Sequence, residues 1–212
     1  MDALNAAVRD NPQLGYLPYS IMGFSYQHLG RARDALEAFQ KSEKIKPDDP
    51  AVEAGVGATL AALSRSREAI PHLEKAVRLQ PDVSGGHFLL GTAYSQATRL
   101  DDAIREFRKA IDLQPDNAWA YMYLGEAFGK SRRNDDEITA EQQAIRLNPK
   151  SAEAHYLLGT AYGATNRFGE AASAYAKATE LKPDYFDAYA QLAHVDIQLG
   201  ADDRQLEDAA NP

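Results

Sequence analysis

Glu137 and Glu141 stand four residues apart, the spacing that puts two side chains on one face of a helix. Paired carboxylates could serve as general acid and base if a cleft enclosed them and drove their proton affinities apart. The surrounding sequence supplies no such cleft, so catalysis is not the expected role. A polar notch for a partner's basic residue is a second reading, and a locally loosened, solvated helix is the favoured one. Burying either carboxylate unpaired is costly, so the helix is expected to shift, to expose them, or to pair them with Arg132 or Arg133. The histidines offer no better chemistry. His87 and His155 read as packed core or boundary residues, too far apart for one ion at metal bonds of ~2 Å. His28, His72 and His194 have no carboxylate or histidine at ligand spacing along the chain. With no cysteine there is no thiolate zinc site, no sulfur nucleophile and no disulfide. Neither a G-x-x-x-x-G-K phosphate loop nor a G-x-S-x-G elbow occurs. The expectation is a protein that is not an enzyme and holds no metal or cofactor.

The elements that carry these residues are written in a repeat. Pro47, Pro81, Pro115, Pro149 and Pro183 follow one another at intervals of 34 residues, preceded by KIK, RLQ, DLQ, RLN and ELK. They define units 16–49, 50–83, 84–117, 118–151 and 152–185. In the first half of each unit an apolar residue, a glycine and a second large residue recur: Met22-Gly23-Tyr26, Val56-Gly57-Leu60, Leu90-Gly91-Tyr94, Leu124-Gly125-Phe128 and Leu158-Gly159-Tyr162. Spacings of three and four place them on one helical stripe. A glycine inside a helix costs ~1 kcal/mol against alanine, so five in register require compensation, and close approach of the unit's second helix is expected. That second helix carries Ala35, Ala69, Ala103 and Ala171 at one position and Phe39, Leu73, Phe107 and Tyr175 four residues on. Glu137 and Glu141 occupy these two positions in the fourth unit. Each unit is thus a helical hairpin, with the proline ending its second helix and suited to the first turn of the next.

One hairpin cannot bury its own apolar faces, so the units must stack into an array. Leu-Gly, Tyr, Ala, Phe or Tyr, Ala and Pro in this order at this period resemble the tetratricopeptide repeat. The resemblance implies an all-α, right-handed superhelical solenoid of stacked antiparallel helix pairs, occupying residues 1–212 as one array. Leu4, Ala7 and Pro12 in residues 1–15 resemble the tail of a second helix. Phe186 to Gly200 reads as the first helix of a sixth unit and 201–212 as a shortened second helix, so 186–212 is a partial repeat or cap. The chain therefore starts and stops in mid-motif, as capping helices do, or as a piece of a longer protein does, which is the favoured reading.

The resemblance also implies a concave groove lined by the first helices, which receives peptides. Its positions hold Phe24, Ala51, Ala54, Phe88, Thr92, Trp119, Met122, Glu126, Tyr156 and Thr160, with Tyr123 beside them. The candidate peptide-binding set is Phe24, Phe88, Thr92, Trp119, Met122, Tyr123, Glu126, Tyr156 and Thr160. Apolar surface of this kind marks interaction sites, and tryptophan and tyrosine are enriched in their hot spots. The family's two-carboxylate clamp for acidic chaperone tails is absent, since its lysine and asparagine positions hold Ser20 and Phe24. The asparagine ladder of sugar-transferring members is absent too: Ile21, Gly55, Leu89, Tyr123 and Leu157 stand there. The expected ligand is a short apolar or amphipathic segment, and the expected function a protein–protein interaction scaffold. Alternatives are a substrate-recruiting module of a larger enzyme, or a scaffold that homo-oligomerises through its truncated ends.

Composition narrows the partners. Lys and Arg total 23 against 31 Asp and Glu, a formal charge of −8, which argues against nucleic acid. No run approaches the ~18 consecutive apolar residues of a membrane insertion. Met1 to Asn11 lack the apolar core of a leader peptide, which favours the cytoplasm unless a leader has been trimmed.

Overall fold

The computed structural model describes residues 15–210, with side chains as far as Gly200. Among the described residues there are eleven α-helices and no strand. They are α1 (Leu17–His28), α2 (Ala32–Ile45), α3 (Pro50–Ala62), α4 (Ser66–Leu79), α5 (Ser84–Gln96), α6 (Leu100–Leu113), α7 (Ala118–Lys130), α8 (Asn134–Leu147), α9 (Ala152–Ala164), α10 (Phe168–Leu181) and α11 (Phe186–Ala210). The chain divides into two compact units, one ending at Pro115 and the other beginning at Asp116. Consecutive helices pack as pairs in each: α1 to α6 in the first, α7 to α11 in the second.

The turn inside each pair repeats to the residue. Gly30, Ser64, Thr98, Arg132 and Asn166, 34 apart, all adopt left-handed backbone with φ between 57° and 69°. The following arginine amide, at Arg31, Arg65, Arg99, Arg133 and Arg167, donates back to the carbonyl of the large residue five positions earlier, closing the first helix. The same arginine side chain bridges to an acid three residues on: Asp34, Glu68, Asp102, Asp136 or Glu170. In four pairs it also lies over the ring of that large residue, from 4.3 Å at Tyr94 to 4.6 Å at Tyr26 and Phe128. This corner follows from R-x-x-[D/E] at the repeat period, a signal present in the sequence and not read there.

Between pairs, each second helix stops two residues before its proline, and at Lys46 and Lys182 the residue between is extended. The proline thus ends the second helix but lies in the linker, three residues ahead of the next helix rather than in its first turn. Asp49, Asn117 and Ser151 then cap α3, α7 and α9 by accepting from backbone amides with their side chains.

The recurrent glycines are explained by side chains. The Phe39 ring lies on Gly23 so closely that a Cβ there would stand 2.6 Å from it, and Phe107 and Tyr175 seat on Gly91 and Gly159 in the same way. The compensation is a knob of the second helix filling a notch of the first. The last described helix differs from the repeats before it. No turn forms at Gly200, and α11 continues as one helix to Ala210. Leu4, Ala7 and Pro12 lie outside the described residues.

Candidate functional site

In the first unit, α1, α3 and α5 present their first-helix faces beside one another. Phe24 is 44% exposed and meets the Phe39 knob edge-on, with centroids 4.9 Å apart. It forms one wall of an apolar cleft of about 310 Å³, with Ala51 and Ala54 of α3, Val83, and Gly85 and Leu89 of α5. Small residues on α3 open this space. Phe88 leans on Phe107 instead, at 5.8 Å, and Thr92 donates its hydroxyl to the Phe88 carbonyl at 2.9 Å. The fold therefore brings Phe24 to the cleft and leaves Phe88 and Thr92 off its lining. Val83 and Leu89 belong to the cleft and were missed, because helix phase alone assigns one to a linker and the other to the neighbouring stripe.

In the second unit, Trp119 is 57% exposed on the first turn of α7. Met122 is buried against Ala144 and Ala154, so it supports the face from beneath rather than standing on it. Tyr123 is half-buried, and Glu126 pairs with Lys130 at 2.7 Å. Tyr156 sits between Tyr175 and Tyr185, with centroids 5.7 and 5.0 Å away. Thr160 accepts from the Tyr175 hydroxyl at 3.3 Å. Tyr185, just ahead of α11, is the aromatic that sequence phase did not bring to this group.

Glu137 and Glu141 depart from every expected arrangement. Helix α8 has the length of its counterparts, both carboxylates are buried, and Arg133 is committed to Asp136 at 2.7 Å and to the Phe128 ring. Glu141 is wholly buried on Gly125, in the place a ring takes elsewhere, and Glu137 lies against Gly129. Among the described residues neither Glu141 oxygen has a hydrogen-bond partner. Burial first, then repulsion from Glu137, Glu126 and Glu153, pushes the Glu141 carboxyl up to about 9. Burial raises Glu137 to about 7. At neutral pH Glu141 is therefore a carboxylic acid, and the helix stays in place by protonating rather than loosening.

The histidines separate into two kinds. His87 is buried and fully engaged, with Nδ1 2.7 Å from Glu106 and Nε2 2.8 Å from the Pro81 carbonyl. His72 does meet carboxylates, contrary to its isolation in sequence: Nδ1 lies 2.8 Å from Glu53 and 3.6 Å from Glu43. Three helices supply that cluster, so no spacing along one helix reveals it. No described helix is long and apolar enough to cross a membrane.

Known proteins agree with this architecture. The family model described as tetratricopeptide repeat matches residues 56–118, 88–152 and 138–193. No curated protein sequence matches the chain. Among solved structures, a MamA protein is 25% identical, with 81% of this chain and 94% of that one covered at a TM-score of 0.72. MamA from Desulfovibrio magneticus RS-1 is 22% identical over 80% and 96%, with a TM-score of 0.74. YrrB, described as a TPR protein with an unusual peptide-binding site, is 20% identical over 89% and 96%, at 0.73. With family matches covering residues 56–193 and helix pairs repeating every 34 residues, the chain belongs to the tetratricopeptide repeat family.

Proposed function

We propose that this chain is a non-catalytic scaffold that holds a short apolar or amphipathic peptide segment, or one face of a partner helix, against the first-helix faces of its repeats. The observation that carries this reading is the cleft beside Phe24. Its lining is alanine, glycine, proline, valine and leucine with Gln80 as the polar side chain among them, and one exposed ring forms a wall. Such a lining rewards an apolar side chain and offers no opposite charge to a charged one. In the second unit Trp119 supplies an anchor of the type enriched in hot spots, with Tyr123, Glu126, Tyr156 and Thr160 as further contacts. YrrB, a fold neighbour described by its peptide-binding site, supports the choice of a peptide.

The test uses the full chain beside Phe24→Glu and Ala54→Glu, each first shown by circular dichroism to keep its helices. Proteins captured by the native chain are cut into overlapping synthetic peptides, and their binding is read by fluorescence anisotropy. An apolar peptide that either variant weakens tenfold or more, about 1.4 kcal/mol, is the expected result. Equal affinity for all three proteins would remove the cleft from the interface. A light-scattering mass that grows with concentration, without peptide binding, would favour self-assembly instead.

A further inference from the structure

We propose that Glu43 of α2, Glu53 of α3 and His72 of α4 form a binding site for a divalent transition metal of the zinc type, joining the first repeat to the second. Two repeats hold the same pair in opposite order. The fourth position of a repeat faces its twenty-third: Glu53 meets His72 in the second repeat, and His87 meets Glu106 in the third. In the third repeat both histidine nitrogens are taken and the ring is buried, so the pair is a closed structural contact. In the second repeat the His72 side chain is 29% exposed while Glu53 is 1% exposed, which leaves a route to a buried carboxylate.

The first repeat adds a third donor. Glu43 occupies a position that the other full repeats fill with Val77, Ile111, Ile145 and Thr179. A carboxylate kept ionised at a helix junction is stabilised by a cation beside it. The cation at hand is insufficient. Lys75 lies 2.5 Å from Glu53 and 2.6 Å from Asp48, so one ammonium serves three carboxylates once Glu43 is included. With a neutral imidazole the cluster keeps two negative charges in excess, the charge of one dication.

Geometry agrees with the charge. One donor atom from each of Glu43, Glu53 and His72 lies within 4.8 Å of the others. A tetrahedral zinc with bonds of ~2.0–2.2 Å separates its donors by about 3.3–3.6 Å. The His72 contacts, 2.8 Å to Glu53 and 3.6 Å to Glu43, bracket that separation. One imidazole with two carboxylates suits zinc better than calcium or magnesium, which take oxygen ligands. Three protein donors leave the fourth position to water. As the metal takes Nδ1, the one proton of the neutral ring is carried by Nε2, and Glu53 exchanges its contact with the ring for one with the metal.

The test is calorimetric titration of Zn²⁺ into the full, tag-free chain after chelator dialysis, in two buffers of different ionisation enthalpy. One equivalent is expected to bind without net proton loss from the ring, so with nearly the same heat in both buffers, and to raise the Tm by several degrees at saturation. Glu43→Val, which installs the residue of the next repeat, and His72→Ala are each expected to weaken binding tenfold or more. Glu106→Gln, in the closed pair, is expected to leave it unchanged. Absence of binding at 100-fold molar excess, or affinity that survives Glu43→Val or His72→Ala, overturns the proposal. Because Glu43→Val keeps a residue type native to that position, loss of the fold does not explain its result.

Discussion

The second helices of the first, third and fifth repeats seat a ring on a glycine of the preceding helix; the fourth seats a carboxyl. Phe39, Phe107 and Tyr175 occupy the same place over Gly23, Gly91 and Gly159 as Glu141 occupies over Gly125. The backbone barely registers the exchange, since α8 keeps the 14 residues of α6 and α10. The difference is chemical. A ring gains from leaving water, whereas a carboxyl enters the notch only by taking up a proton. A glycine notch thus selects for a shape at ordinary pH and for a protonation state at high pH.

The largest way to break the equivalence is to raise the pH. Glu141, near 9 when folded and ordinary when unfolded, binds its proton more tightly in the native chain. Its contribution is therefore fully present below the unfolded value near 4.5 and is lost as pH rises toward 9, with Glu137 adding to the loss up to about 7. Denaturant unfolding from pH 5 to 9 is expected to show a decline approaching ~1.4 kcal/mol per pH unit for each proton involved. Glu141→Leu, which copies Leu73 of the second repeat, should flatten that decline and be the more stable protein at pH 8. An identical slope in both proteins would show that Glu141 remains charged in the fold. A smaller effect follows from emptying the notches. Phe107→Ala should cost about 3–5 kcal/mol, and Glu141→Ala under about 2 kcal/mol at pH 7, both read from denaturation midpoints. Equal losses would mean that the carboxyl packs as productively as the ring. The smallest effect is one in which the repeats should agree. Arg99→Ala and Arg133→Ala each remove one ion pair and one ring contact at a surface corner, and the two variants should show the same small drop in denaturation midpoint. A larger loss at Arg133 would reveal a tie to the buried acids that its pairing with Asp136 does not show.

Much of this fold was legible because a local pattern was repeated. Five prolines, five glycines and the alanine rows state the period, and period alone implies hairpins that must stack. The groove face was legible in outline and not in membership. Helix phase put Phe24, Phe88 and Met122 on one face, while packing left Phe24 in the open, turned Phe88 toward Phe107, and buried Met122 under Ala144 and Ala154. Which way a side chain leans depends on the volume of its neighbours on another helix, and phase carries no information about volume.

The sequence by itself determined the period and the pairing of the helices between residues 16 and 185, through breakers and apolar stripes that act within a few residues of each other. It also determined that the fourth repeat would differ. Tertiary structure decided how: that Gly125 and Gly129 would house Glu141 and Glu137 as buried acids, and that α11 would run past Gly200 without turning back. It likewise decided that Glu43, Glu53 and His72, carried by three helices, would converge. The division is physical. Backbone hydrogen bonds and turn conformations respond to residues close in the chain, whereas desolvation and charge depend on everything within a few ångströms, whatever its place in the sequence.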